Sequence, residues 1–492
     1  MALLGIDAGT TGCKAAVFSE DGQALSLAYR EYPAAKSPPG VFELDSRLVW
    51  DSVKTVIKEA VSAAPKERVT ALSVSSFGEA FVPVTKSREI LDSSILSCDG
   101  RGAEHAEKLK NSISAEEFYR INPNIPGPSY SMPKMLWLRE NRPDVYRRAD
   151  FFLLWADFIC FMLGAEPRTV SSLANRTLLF DLDKNDWSDK LIALCGADRE
   201  KLAPVVIAGD IVGTVSKEAA AELGLPLGVK IAAGGHDQCC AALGAGAVKH
   251  GDLVCGVGTY QCMTPVFEKP SDPSSFQRAG LNIEHHTVKG LFAAFIFNQA
   301  GMLLKWFRDT LARDLAGSKD AYKILESEIP DEISDVFVFP YFEATGAPEY
   351  VTGASGVIAG LRAATSRGAI YKSVMEGAEF YFVRHLETLR KMGVPASKLV
   401  ITGGGAASDK WAQIKADIYG VPVVRPLFPE CGLAGAAILA GAGSGVYESA
   451  AAAAKLFFKE EAEFTPRSEK HAAQREKHSR HMALFNKFYQ NN

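Results

Sequence analysis

The chain carries a trace of itself. Setting Asp7–Phe18 (DAGTTGCKAAVF) over Gly256–Phe267 (GVGTYQCMTPVF) matches Gly9 with Gly258, Thr10 with Thr259, Cys13 with Cys262, Val17 with Val266 and Phe18 with Phe267. The copies lie 249 positions apart in a chain of 492 residues, so each opens one half. Self-similarity at half the chain length points to two homologous halves. It predicts a first domain over 1–246, a second over 247–446 and a C-terminal helical extension over 447–492. The join falls near Gly244 to Gly251. No Ser/Pro-rich linker intervenes there, so the halves are expected to pack on each other around a cleft.

β-type runs over 3–7, 14–18 and 23–30 are separated by Gly-rich turns, which predicts an antiparallel meander. Residues 48–63 have helical periodicity and 69–75 are β-rich. Further helices are expected over 132–140, 190–194, 217–223, 301–315, 369–392 and 409–419, and strands over 230–233, 253–255, 291–296 and 399–402. Strands alternating with helices argue an α/β class. Hydrophobic residues at 47% supply a substantial core, and 54 Lys+Arg against 58 Asp+Glu give no basic footprint for nucleic acid. A small-molecule partner is expected, with a homodimer as the assembly to test. The nine cysteines show no CxxC or zinc spacing and read as reduced thiols. The first residues lack a leader pattern, and the longest bulky apolar run, 151–163, is short and broken by Asp157. A cytoplasmic protein without a membrane segment is expected, and the Gly/Ala run over 431–446 suits close helix packing.

Asp7–Lys14 sets a carboxylate at a strand end, the Thr10 and Thr11 hydroxyls and backbone N–H groups in a Gly-rich turn, and Lys14 on the return strand. Such a turn can wrap phosphate oxygens while Asp7 holds a magnesium shell and Lys14 neutralises charge. The same residues suit a plain hairpin turn, and the second copy at Gly258-Thr259 tips the balance to phosphate. Gly234-Gly235-His236-Asp237-Gln238 follows a β-rich run. Asp237 there either caps the next helix or projects into the cleft, where it accepts a hydroxyl proton during phosphoryl transfer. His236 is given no role. The triple glycine Gly403-Gly404-Gly405 admits a base or ribose, or tight strand-to-helix packing. Glu79, Asp99 and Arg101 stand at predicted strand ends, as sugar-binding groups or as solvated loop charges.

Taken in this order, the motifs resemble the FGGY carbohydrate kinases, within the actin-like ATPase superfamily, from about Leu3 to Gly445. The most specific piece is Ser129–Asn141 (SYSMPKMLWLREN), with Lys134 and Trp137. Others are Asp7–Lys14, Cys98–Arg101, Gly234–Gln238, Ala300–Asp309 and Gly403–Ala406. The resemblance implies two RNase H-like domains closing over ATP and a sugar, with ATP and Mg²⁺ as cofactors. It implies Asp237 as catalytic base, adjoining both metal and substrate, and Asp7 as the metal-linked carboxylate. Thr10, Thr11, Lys14 and Thr259 would surround the transferred phosphate. Gly301, Lys305, Gly404 and Gly405 would bind adenosine, and Gly78, Glu79, Asp99, Arg101 and Gln238 would lie at the acceptor. Ser97 replaces the tryptophan of the family's acceptor-side motif. Gly78-Glu79 stands where xylulokinases carry Met-His and glycerol kinases Arg-Glu, so neither substrate is copied. The expected function is an ATP-dependent kinase of a small sugar or polyol, such as xylulose, ribulose or a tetritol. Two rivals use the same scaffold: a nucleotide-driven binding protein for a protein partner, and a catalytically silent sugar sensor. The complete Asp7, Asp237 and Thr259 set and the Lys134–Trp137 signature count against both.

Overall fold

The computed structural model describes residues 1–32, 40–66, 68–343, 348–349 and 355–490. It begins with the expected meander: β1 (Ala2–Ala8), β2 (Gly12–Ser19) and β3 (Ala24–Glu31) are antiparallel, and β4 (Val69–Ser76) joins β1 in parallel. The helix α1 (Ser46–Ala63) starts where the Asp45 carboxylate accepts the Arg47 and Leu48 N–H groups. It lays Val49, Val53, Val56, Ile57 and Ala60 against β2 and β3. After α2 (Ser131–Asn141), β5 (Ile211–Thr214) and β6 (Lys230–Ala232) complete a sheet of order β5-β6-β4-β1-β2-β3. A short β7 (Gly235–His236) also pairs with β4 and leads straight into α3 (Asp237–Gly244).

The second half repeats the plan. β8 (Asp252–Val257) and β9 (Tyr260–Glu268) form its opening hairpin. With β10 (Glu284–His285), β11 (Leu291–Ala293), β12 (Ile296–Gln299), β13 (Lys398–Thr402), β14 (Val423–Pro426) and β15 (Glu460–Phe464) they build a sheet of order β10-β11-β9-β8-β13-β14-β15, where β12 also pairs with β9. The path β3-β2-β1-β4-β6-β5 is answered by β11-β9-β8-β13-β14-β15. Each is a meander, then two parallel neighbours, then an antiparallel edge. The register corrects the alignment of the repeat. Asp7 faces Lys14 across the first hairpin, whereas Gly256 faces Cys262 across the second. The second turn is one residue shorter, so Gly9/Gly258 and Thr10/Thr259 correspond while Cys13/Cys262, Val17/Val266 and Phe18/Phe267 are displaced by one strand position.

Two expectations are overturned. The strand expected over 291–296 is split into β11 and β12. The break lies opposite Thr264 and Pro265, and a proline has no N–H to give a ladder. The extension expected to be helical over 447–492 contains α8 (Ala450–Phe457) and α9 (Ser468–Phe485), but its Glu460–Phe464 is the edge strand β15. The glutamates that read as helix formers there lie on the open edge, where charge blocks further pairing. Residues 491–492 lie outside the described residues. The run 151–163 resolves into a strand Phe151–Leu154 and a buried helix Trp155–Leu163. No described helix is long and apolar enough to cross a membrane, and all nine cysteines are free thiols.

The second half also contains α4 (Gly301–Leu311), α5 (Arg367–Lys391), α6 (Asp409–Tyr419) and α7 (Cys431–Ser444). α7 follows β14 of the second sheet yet packs on β1, β4 and α3 of the first half. Its glycines make this approach: a Cβ on Gly435 would lie 1.9 Å from the Cys240 carbonyl oxygen, and one on Gly5 of β1 would lie 2.2 Å from that of Leu433. Beneath the second hairpin lies a buried charge pair. Glu379 of α5 accepts from Lys415 Nζ at 2.6 Å and Trp411 Nε1 at 2.8 Å, and Lys415 also donates to Gln261 of β9 at 2.8 Å. Lys415→Met strands the Glu379 carboxylate, which is 0% exposed, and is expected to cost about 3–5 kcal/mol. Urea unfolding checks this; an unchanged midpoint would show that the pair is not needed.

Candidate active site

Asp7 lies near the end of β1, beside Lys14 on β2 and Ser75 on β4. Lys14 Nζ donates to Glu430 Oε2 at 2.6 Å and sits over the Tyr29 ring. Gly432, at the start of α7, backs onto the carboxylate, and a Cβ there would stand 3.4 Å from both oxygens. Asp7 Oδ1 is buried and has no hydrogen-bond partner among the described residues. Burial pushes the Asp7 carboxyl up to about 7; Ser75 and Lys14 oppose the rise, and the negative charges of Asp237 and Glu430 add to it. A buried carboxylate oxygen without a donor, close to further carboxylates, fits a hard divalent cation such as Mg²⁺. Thr10 and Thr11 are exposed in the adjoining turn, which is closed by the Gly9 N–H on the Gly12 carbonyl at 2.9 Å.

Asp237 is the first residue of α3. The chain reaches it through Gly234, where a Cβ would overlap the Val74 carbonyl oxygen at 1.6 Å, so only glycine passes beneath β4. His236 Nε2 lies 3.3 Å from Asp237 Oδ1, and its Nδ1 lies 2.9 Å from Glu284 Oε1 of the second half. Burial raises the Asp237 pKa and the charge of Glu79 adds to it, while His236 and the Gln238 amide groups lower it. Burial works against a charged His236, but the Glu284 and Asp237 carboxylates outweigh it and raise its pKa. Cys262 of β9 packs with Cys239 of α3, which brings the second hairpin against this helix.

On the acceptor side, Glu79 sits in a tight turn at φ 58°, with the Ala80 N–H on the Gly78 carbonyl at 2.6 Å. Ser131 Oγ donates to the Glu79 carbonyl at 2.5 Å. Burial would raise the Glu79 pKa; Arg176 and His236 outweigh it, so the carboxyl is held below its usual range. Lys134 is completely buried, and burial pushes it down to about 8 against the pull of Glu79 and Asp99. Asp99 is already engaged: it accepts from Arg101 N, Nε and Nη2 and from the N–H of the distant Phe42, while Arg101 also pairs with Glu43 and stacks on Trp137.

On the other flank, the Gly258-Thr259 turn carries the start of α4. The Gly301 N–H donates to the Gly258 carbonyl at 2.9 Å and the Met302 N–H to that of Thr259 at 3.0 Å. A Cβ on Gly301 would fall 2.5 Å from the Gly258 oxygen, and one on Gly405 would fall 2.4 Å from Val257 Cγ1. The triple glycine therefore packs directly on the end of β8. Gly404 faces open space, with no described atom within 4 Å of its Cβ position. Thr259, Gly301, Gly404 and Gly405 thus form one cluster, whereas Lys305 points outward and pairs with Asp309 at 3.3 Å.

Arg176, Glu284 and His236 join the site without a motif of their own to mark them. The neighbours of the first two are polar, Asn175 and Thr177 around Arg176 and Asn282, His285 and His286 around Glu284, so no apolar stretch marks them in the sequence.

The chain matches the FGGY family of carbohydrate kinases, N-terminal domain, over residues 2–244, and its C-terminal domain over 267–444. Xylulose kinase of Bacillus subtilis is 26% identical over 471 residues, covering 95% of this chain and 93% of that one. Autoinducer-2 kinase of Yersinia enterocolitica is 29% identical over 496 residues, covering 95% and 91%. The solved xylulose kinase of Rhodospirillum rubrum superposes with a TM-score of 0.89 at 24% identity, over 100% of this chain and 99% of its own, and establishes the shared fold.

Proposed function

Because the chain belongs to the FGGY family of carbohydrate kinases, ATP-dependent phosphotransferases with a hydroxyl acceptor, we propose that it phosphorylates a small neutral sugar or polyol with Asp237 as the base. One observation carries the reading: three carboxylates follow one another from the phosphate turn to the acceptor turn. Asp7 on β1 and Gly235, two residues before Asp237, both pair with Ser75 of β4, and His236, 3.3 Å from Asp237, lies 3.3 Å from the Cβ position of Gly78 beside Glu79. Asp7 adjoins the phosphate turn, Glu79 lies in the acceptor turn, and Asp237 stands between them. We assign the acceptor to the 1–246 half and the nucleotide to the 247–446 half, against Thr259, Gly301, Gly404 and Gly405. Free thiols throughout, Cys98 among them exposed, suit a reducing cytoplasm.

Asp7, with Asp237 beside it, would hold Mg²⁺, which when bound offsets the phosphate charge. The Gly9–Thr11 and Gly258-Thr259 turns offer N–H and hydroxyl donors to phosphate oxygens. Glu79 accepts a hydroxyl of the acceptor and fixes its orientation. Asp237 then takes the proton of the attacking hydroxyl, held ready by His236 and the Gln238 N–H. Phosphoryl transfer has a loose transition state, so positioning and charge neutralisation supply most of the acceleration. Closure of the halves excludes water that would otherwise hydrolyse ATP.

The test is ADP release with MgATP across tetritols, pentitols, pentuloses, hexuloses, glycerol, aldonates and autoinducer-2, with the product checked by mass spectrometry. One neutral acceptor is expected to stimulate turnover by orders of magnitude. Tight ATP binding without stimulation by any compound would overturn the reading in favour of a nucleotide-driven binding protein.

A further inference from the structure

Gly78 leaves a place beside Glu79, and Arg176 fills it. A Cβ at Gly78 would come within 2.9 Å of Arg176 Cγ and 3.3 Å of His236 Cδ2. Arg176 is carried on a single 3₁₀ turn, Asn175–Thr177, and its guanidinium lies between the rings of Tyr130 at 5.0 Å and Phe295 at 5.6 Å. Nε and Nη2 both donate to Oε1 of Glu79, and Nη1 lies 3.4 Å from Asn124 Oδ1 and 3.7 Å from Glu284 Oε2. No described hydrogen bond uses Glu79 Oε2. Glu284 is 0% exposed, and the chain beside it is fastened to the first half. The Ile283 N–H donates to the Pro123 carbonyl at 3.0 Å, Asn175 Nδ2 to that of Ile283 at 3.1 Å, and Tyr119 Oη to that of Leu281 at 2.6 Å.

We propose that Arg176 is the positioning residue that sets acceptor choice. Resting on the kinase reading, it turns Glu79 so that Oε1 is occupied and Oε2 is presented to a hydroxyl. Through Glu284 it keeps that carboxylate in register with His236 and Asp237. The same arrangement selects a neutral acceptor, because the nearby cations among the described residues are already engaged. Arg176 is shared by two carboxylates, Arg101 by Asp99 and Glu43, and His236 by Glu284 and Asp237. Lys134 gives its ammonium to the Pro128 and Tyr130 carbonyls. A carboxylated acceptor finds no free counter-charge among these described residues. Lysine cannot substitute for Arg176, since the site uses a planar fork and two ring faces.

Wild type, Arg176→Met, Arg176→Lys and the double variant Glu79→Gln/Arg176→Met are compared for turnover on the acceptor panel. Sugar binding is measured by calorimetry with a non-hydrolysable ATP analogue. Arg176→Met is expected to raise the acceptor KM about 30-fold while the ATP KM stays within about twofold. Arg176→Lys recovers little, and the double variant is no worse than Arg176→Met alone, because the two residues act as one unit. The double variant also leaves one fewer buried carboxylate unpaired, which guards against simple misfolding. An unchanged acceptor KM, an equal loss for acceptor and ATP, or an aldonate as best acceptor would overturn the proposal. Wild type that binds a panel sugar in an Arg176-dependent way but phosphorylates none sinks the kinase reading alone. Wild type that binds no panel sugar sinks both.

Discussion

Asp237→Ala lowers turnover about a thousandfold, the scale of a lost general base, and leaves ATP affinity within a small factor. The base acts on the acceptor proton, whereas the nucleotide is held by the turns and glycines of the other flank. The pH profile gives a second signature. The Asp237 pKa is raised by burial and by Glu79, and only the ionised carboxylate accepts a proton. Wild-type turnover therefore falls as pH drops through that raised pKa, and the residual activity of the variant lacks this limb. Single-turnover kinetics at saturating MgATP and acceptor decide the matter; near-normal turnover removes Asp237 from the role of base.

Asp7→Asn is expected to act in two opposite directions. Turnover falls about a hundredfold or more and the Mg²⁺ requirement rises, as a site loses its anionic ligand. Without Mg²⁺ the same change stabilises the protein at alkaline pH. Burial pushes the Asp7 carboxyl up to about 7 in the folded chain, against about 3.9 for a free aspartate. Between those values the folded state keeps a proton that the unfolded state has released. Stability from this group is thus present below about pH 4 and is lost as pH rises through 7. Asparagine escapes the loss, and at pH 8 with a chelator present the melting temperature of Asp7→Asn should exceed that of wild type by about 2–4 °C. Added Mg²⁺ should narrow the gap by binding wild type. A lower melting temperature together with unchanged turnover would remove Asp7 from the metal site.

What the sequence disclosed follows the range of the forces involved. The hairpin turns at Gly9–Thr11 and Gly258-Thr259, the Gly234 crossing before Asp237 and the triple glycine are local demands on backbone shape, so residue type betrays them. The strand alternation that exposed two like sheets is local too. The missing turn residue in the second hairpin is invisible in an ungapped match, because Cys262, Val266 and Phe267 restore the identities one position later. Arg176 and Glu284 lie 108 positions apart and matter only because the second half folds back on the first. Glu460–Phe464 misled for a related reason: its glutamates favour a helix, and only the free edge of β14 makes a charged strand the better answer.

The helix α7 gives the first half a debt to the far end of the chain. β1 and β4 are left with one face bare until residues 431–444 arrive, about 190 residues after α3 is complete, or roughly 10–40 s of synthesis at usual rates. During that interval the nascent N-terminal sheet exposes apolar surface of the kind that drives aggregation of folding intermediates. A stop codon just before α7 strips cover from both halves, since the first loses α7 and the second loses its edge strand β15 and the helix α9 that packs on α6.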